Sequence, residues 1–240
     1  MVISYNFENF DLGVSIPTTD NSKLVDEFQL INLDMSSVIT PTISQKQEVF
    51  TLKQVHGTDV VIISEGKIYH DGNALNFSYS LDHSLEADGI ITNDRNIRVG
   101  IRTADCAPVM FYFDGVVGGI HCGWRGLKSR IVKKTVSLAR DKFQFNQERA
   151  KFFILPCIHV CCYEVGSEFL EWASDFCLRR GDKIYFDIPR FIISELKEFG
   201  VIEENIYYSP LCTSCYSNVL PSYRANKTED RIVSFISLKS

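Results

Sequence analysis

The 240-residue sequence lacks any long uninterrupted apolar run. Its most apolar region, residues 99–122, is broken by Arg102, Asp105, Asp114 and the Gly118–Gly119 pair, which excludes a membrane span there. The first residues, MVISYNFENFDLGVS, lack the basic stretch and following apolar run of a signal peptide. The expectation is a cytoplasmic protein whose eight cysteines are reduced thiols and not a disulfide framework. Basic residues are not in excess: 25 Lys and Arg against 30 Asp and Glu leave a net charge of −5. That balance gives no footprint for nucleic acid, yet leaves room for a local basic pocket around a small anion. Internal repeats and low-complexity linkers are absent, and histidine is scarce, at five residues. What remains is ordinary globular composition, 45% hydrophobic and 23% charged, with enough thiols and imidazoles for a metal site.

Strand-like runs rich in β-branched and aromatic residues occupy 60–64 (VVIIS), 90–92, 97–102, 108–113 (PVMFYF), 116–121 (VVGGIH), 152–155, 206–208 and 232–238. Helical spacing predicts a helix over 127–142, with Leu127, Ile131, Thr135 and Leu138 on one face. It predicts a second over 164–179, carrying Val165, Phe169, Trp172 and Phe176, with Gly181 as its stop. A third starts at Asp187, a good N-cap with Pro189 close behind, and ends at Gly200. Strands and helices that do not strictly alternate predict an α+β fold with mixed sheets flanked by helices. The first 50 residues carry the weakest pattern.

The segment GGIHCGWRGL, residues 118–127, holds four glycines in ten positions. Such density implies a backbone that turns sharply or approaches something closely. Asp114-Gly115 just upstream predicts a two-residue type I′ hairpin between 108–113 and 116–121. In that register Phe113 pairs with Val116 and His121 faces Pro108, so Cys106 lies diagonal to His121 on the same face. Pro108 points to an edge or an irregular start for its strand. An imidazole and a thiolate so placed could share a metal ion. His56, in KQVHGTDVV, is the best third ligand, and His159 in CIHVCC its main rival; His70 and His83 lie in polar, loop-like sequence. Taken alone, a nearby His and Cys are more commonly packing residues than ligands. Cys212-Thr-Ser-Cys215 is a lone CxxC, a weak metal or redox signal, and adjacent Cys161-Cys162 is weaker still. Arg125, beside the start of the 127–142 helix, could offer a forked donor to a phosphate or remain a solvated surface residue. Trp124 could stack on a flat ligand or fill core.

Taken in order, QVHG (54–57), EADGIIT (86–92), TADCAPV (103–109), HCGWRG (121–126), CYEVG (162–166), LCTSC (211–215) and SYR (222–224) are specific as a combination. With them the chain resembles the YfiH-like family, labelled first as multicopper polyphenol oxidases or laccases and later as purine nucleoside phosphorylases. The resemblance runs from Gly13-Val14-Ser15 to the last strand. It implies one domain over residues 1–240, a zinc held by His56, Cys106 and His121, and phosphorolysis of purine nucleosides. Methylthioadenosine cleavage and adenosine deamination are its implied companions. Three positions depart from the family pattern. Leu155 replaces the Gly of a Gly-Pro pair, Cys122 an Ala, and Asp230 a Gly before Arg231. They bear on substrate preference more than on the metal.

The laccase label can be tested on composition. A multicopper oxidase needs many imidazole ligands, commonly as His-x-His pairs, and this chain has five His and no such pair. A blue-copper centre alone takes two His and one Cys. Polyphenol oxidation would then be a side activity of copper in the zinc site. Within the purine-nucleoside reading, Arg125 and Arg224 hold phosphate, Gln54 orients a ligand or the substrate, and Trp124 or Tyr223 stacks on the base. Asp105 is a partner of the metal-site groups or a proton carrier. The expected partners are purine nucleoside and phosphate, with no nucleic acid and no membrane, for a monomer or homodimer. Two rivals use the same residues. One is a metal-free cysteine hydrolase with Cys106 as nucleophile and His121 as base. The other is a structural zinc domain, closed by Cys212 or Cys215.

Overall fold

A computed structural model describes residues 2–17, 48–75, 84–144 and 146–239; His83 falls outside them. An eight-stranded mixed sheet forms the middle layer. Its order is Ile206–Tyr208, Lys151–Ile154, Ala107–Phe113, Val116–Cys122, Gly89–Thr92, Val60–Ser64, Lys67–His70 and Asn73–Leu75. One face packs on a five-stranded sheet in the order Val2–Asn6, Phe10–Ser15, Ile232–Leu238, Val99–Thr103 and Phe50–Thr51. The other face is covered by the helices Ile131–Phe143 and Ile188–Glu198 and by a small sheet of Glu164–Val165, Lys183–Phe186 and Cys177–Arg180.

The run VVIIS reads as continuously apolar because both faces of its strand are covered. Val60 and Ile62 join Ile131, Val136 and Phe191 in the helix-side core. Val61 and Ile63 join Leu12, Val99 and Ile236 between the sheets. Fully burying side chains of this kind contributes about 1.5–3 kcal/mol each. Residues 2–17, weakly patterned as sequence, form a hairpin whose second strand pairs with Ile232–Leu238.

The Asp114-Gly115 hairpin forms as expected. Both residues have positive φ, 37° and 81°, and Phe113 pairs with Val116 and Pro108 with His121. The strand holding Pro108 is interior and not an edge: Pro108 is its second residue, and its carbonyl accepts from the Leu155 N–H at 3.0 Å.

Two expected helices are corrected. The 127–142 helix is split into Trp124–Lys128 and Ile131–Phe143, because Arg130 adopts φ 62°. There its guanidinium meets Glu195 at 3.0 Å and Glu198 at 2.7 Å on the helix Ile188–Glu198. The 164–179 segment instead holds two short strands, each paired with Lys183–Phe186, two 3-10 turns and the single turn Leu170–Ala173. Phe169 and Trp172 pack against Phe186, and Phe176 against Phe191. Gly181, φ 59°, turns the hairpin between Cys177–Arg180 and Lys183–Phe186 and stops no helix. The third helix is as expected, with the Asp187 carboxylate accepting from the Arg190 N–H at 3.1 Å.

The four glycines of 118–127 all lack positive φ, so close approach and not turning explains them. A Cβ on Gly118 would lie 2.2 Å from Phe111 Cζ and 2.5 Å from the Ile90 carbonyl. Gly118→Ala is therefore expected to cost about 3 kcal/mol through overpacking. Thermal unfolding reads that as a fall of roughly 2–4 °C per kcal/mol, and an unchanged melting temperature would contradict the packing described.

Candidate metal centre and cavity

The end of strand Val116–Cys122, the residue before strand Ala107–Phe113 and the loop before Val60–Ser64 meet at one point. His121, Cys106 and His56 come from these elements, and their ligand atoms all lie within 4.8 Å of one another. Cys106 Sγ lies 3.9 Å from His56 Nε2. Tetrahedral zinc with ordinary Zn–S and Zn–N lengths would set that separation at about 3.6 Å. Gly123 shapes the space around the donors. A Cβ there would fall 2.8 Å from His56 Cδ2 and 3.4 Å from Cys106 Sγ.

Asp88 organises this centre. One carboxylate oxygen stands 2.7 Å from His121 Nδ1. The same carboxylate accepts the backbone N–H groups of Val55, His56 and Gly57 at 3.3, 3.0 and 2.6 Å. It thus fixes the tautomer of His121, leaving Nε2 for a ligand, and holds His56 in its left-handed backbone conformation, φ 62°. Burial works against the Asp88 charge, but His121 and then the Gly57 and His56 N–H groups outweigh it, and its carboxyl is held low.

In the metal-free centre, burial would push the Cys106 thiol up. Contacts with His121 and His56 outweigh it and bring the thiol down to about 6. Burial likewise opposes the His121 charge, yet Asp88 and Cys106 raise it to about 9. Both shifts favour a thiolate beside an imidazolium when no metal is bound. Two imidazoles and an ionised thiol suit zinc, and a metal ion fits the donor set.

The centre opens into a cavity of about 590 Å³ lined, among others, by Gln54, Arg102, Tyr163, Tyr223, Arg224 and Arg231. Asp105 builds its wall. With φ 93°, its carboxylate accepts from Thr213 Oγ1 and Ser222 Oγ at 2.7 Å each, and from the Arg224 N–H at 2.6 Å. Those three bonds occupy the group that sequence reading offered as a proton carrier. The Arg224 guanidinium donates to the Glu164 carbonyl at 2.8 Å and lies over the Tyr163 ring.

Of the residues expected from sequence, His56, Cys106, His121, Gln54 and Arg224 line this cavity. The Gln54 amide is paired at both ends with the Arg102 backbone, at 2.8 Å each way, and so fixes the strand that carries Arg102. Arg125 is not among the lining residues. It stacks on Trp124, 4.6 Å from the ring centroid, while Trp124 packs on Phe169. Its charge still reaches Tyr163, whose phenol burial pushes well up. The helix start proposed for an anion is the five-residue segment Trp124–Lys128, too short to gather a macrodipole. Of the departures, Leu155 and Cys122 are buried core residues, whereas Asp230 precedes Arg231, which lines the cavity. Sequence reading missed Asp88, Arg102, Tyr163 and Arg231.

Elsewhere, Cys161, Cys162, Cys212 and Cys215 also converge within 4.8 Å. So do Asp59, His70 and Asp71, but Lys134 already ion-pairs there with Asp59 and Asp71.

A mixed three-layer fold thus carries a His-Cys-His centre under a cavity with arginines on its wall. The family model described as Multi-copper polyphenol oxidoreductase laccase matches residues 3–239. A relative from Aquifex aeolicus, named purine nucleoside phosphorylase, is 38% identical over 152 residues, covering 63% of this chain and 71% of that protein. The Escherichia coli protein named purine nucleoside phosphorylase YfiH is 33% identical over 196 residues, covering 78% and 72%. The crystal structure of Bacillus licheniformis hypothetical protein YfiH superposes with a TM-score of 0.68 at 26% identity, covering 80% of this chain and 74% of that one. The chain belongs to this YfiH-like family. Among the described residues no helix is long and apolar enough to cross a membrane.

Proposed function

We propose that the protein is a metal-dependent purine nucleoside phosphorylase, with zinc held by His56, Cys106 and His121. The observation that carries this reading is the convergence of those three donors at a cavity with arginines on its wall, in a chain whose relatives are named for that activity. When bound, zinc supplies Lewis acidity beside the substrate. In phosphorolysis a phosphate oxygen forms a bond to C1′ of the ribose as the bond to the purine nitrogen breaks. The purine leaves with the electron pair and takes up a proton. Arg224, with Arg102 and Arg231 on the same lining, holds the phosphate beside the positive charge that develops on the ribose. Tyr163 and Tyr223 offer aromatic faces to the base. Asp88 keeps His121 oriented throughout. Adenosine deamination and methylthioadenosine cleavage belong to the same pocket, and copper in place of zinc would account for a polyphenol side activity.

The test is phosphate-dependent release of hypoxanthine from inosine. Arg224→Ala is expected to raise the KM for phosphate at least tenfold while the metal content stays unchanged. Arg125→Ala is expected to raise it less, because Trp124 holds that guanidinium outside the lining. The reverse ranking in phosphate titrations would move the phosphate toward Arg125.

A second reading has its own support. Cys106, His121 and Asp88 form a thiolate–imidazolium–carboxylate chain, the arrangement of a cysteine hydrolase. Chelated, metal-free protein separates the two: a hydrolase keeps its turnover and a metal-dependent phosphorylase loses it.

A further inference from the structure

The second thiol cluster stands apart from the centre just described and joins two loops far apart in sequence. Cys161 and Cys162 lie in the turn after strand Lys151–Ile154, and Cys212 and Cys215 in the turn after Ile206–Tyr208. A backbone bridge between Cys157 and Cys212, and the Thr213 N–H donating to the Cys157 carbonyl at 3.0 Å, bring the two turns together. Cys215 Sγ then lies 3.5 Å from Cys161 Sγ and 3.3 Å from Cys162 Sγ, and all four sulfurs fall within 4.8 Å of one another. Sulfurs around one tetrahedral zinc, each at about 2.3 Å from the ion, are about 3.8 Å apart. Four sulfurs gathered at such spacing match one tetrahedron. A disulfide would need only two of them, at about 2.05 Å.

We propose that Cys161, Cys162, Cys212 and Cys215 bind a structural zinc ion as a closed four-thiolate site that fastens one wall of the cavity. This inference does not rest on the phosphorylase reading. The His159 N–H donates to Cys212 Sγ at 3.4 Å, a bond that favours thiolate. Arg180 donates to the Cys161 carbonyl at 3.2 Å and brings positive charge to the cluster.

The consequence for the cavity follows from chain order. Tyr163 follows Cys162 directly, and its neighbour Glu164 offers the carbonyl that anchors Arg224. Thr213, between Cys212 and Cys215, donates to Asp105, which also holds Ser222 and the Arg224 backbone. Zinc would lock the turn that leads into Tyr163 to the turn whose Thr213 braces Asp105 and, through it, the Arg224 backbone.

The test is zinc stoichiometry of the full chain, purified under reducing conditions, beside Cys106→Ala, with intact mass and the absorption spectrum after cobalt substitution. The expected result is two zinc ions per wild-type chain and one in Cys106→Ala. The variant's cobalt form should keep an intense thiolate-to-metal charge-transfer band. Cys162→Ser, made in the Cys106→Ala chain, should lose the remaining ion and lower the melting temperature. Should that double variant fail to fold, the wild-type count and the Cys106→Ala spectrum decide. One zinc in the wild type with none in Cys106→Ala would overturn the site. So would an intact mass two hydrogens light, which marks a disulfide within the cluster.

Discussion

Cys106→Ala is expected to abolish metal binding at the His56–Cys106–His121 centre and nucleoside phosphorolysis together. The thiol is the one anionic donor among the three, brought down to about 6 by His121 and His56 against the effect of burial. Without it, two imidazoles remain, and the one on His121 is drawn toward protonation by Asp88. Loss of a Lewis acid worth several kcal/mol at the reacting group corresponds to a fall of about a thousandfold in kcat/KM. Elemental analysis and turnover of the same sample read both effects. Full activity with that ion retained would remove Cys106 from the centre.

Asp88→Asn is the second large effect. The change keeps the shape of the side chain but removes the charge that raises His121, and it turns an amide toward N–H groups that had faced a carboxylate. Loss of such a partner costs about 10–100-fold in metal affinity or activity. The metal-free protein adds a pH signature. His121 has a raised folded pKa, so its stabilising contribution is complete below its usual value near 6.5 and disappears as pH rises through about 9. The carboxyl of Asp88 is held low, so its own contribution is present at neutral pH and fades on acidification. The stability gap between wild type and Asp88→Asn should therefore be widest near pH 5–6.5. It should narrow toward pH 9, to the part owed to the Val55, His56 and Gly57 N–H groups. Thermal melts of chelated protein across that range test this, and a gap that widens toward pH 9 would reverse the assigned roles.

What could be read from sequence was local and strongly determined. Asp114-Gly115 announces its hairpin because both positions need positive φ, and the register alone places Cys106 diagonal to His121. VVIIS shows as a strand because both faces are buried. Non-local determinants were hidden. Asp88 binds His121 from 33 residues away, and nothing at EADG marks its carboxylate as a hub. Arg102 and Arg231 reach the cavity only once Val99–Thr103 pairs with Ile232–Leu238. Helical spacing at 165–176 failed because Phe169, Trp172 and Phe176 share one aromatic core that short turns fill as well as a helix would. The CxxC looked weak on its own, since its companions Cys161 and Cys162 lie 54 and 53 residues before Cys215.

The most direct measurement is a chromatographic assay of zinc-loaded protein with adenosine, with and without phosphate, beside Cys106→Ala. Adenine and ribose 1-phosphate formed only with phosphate, and lost in the variant, is the predicted result. Adenosine left intact by the zinc-loaded protein under both conditions, with inosine also untouched, would contradict it.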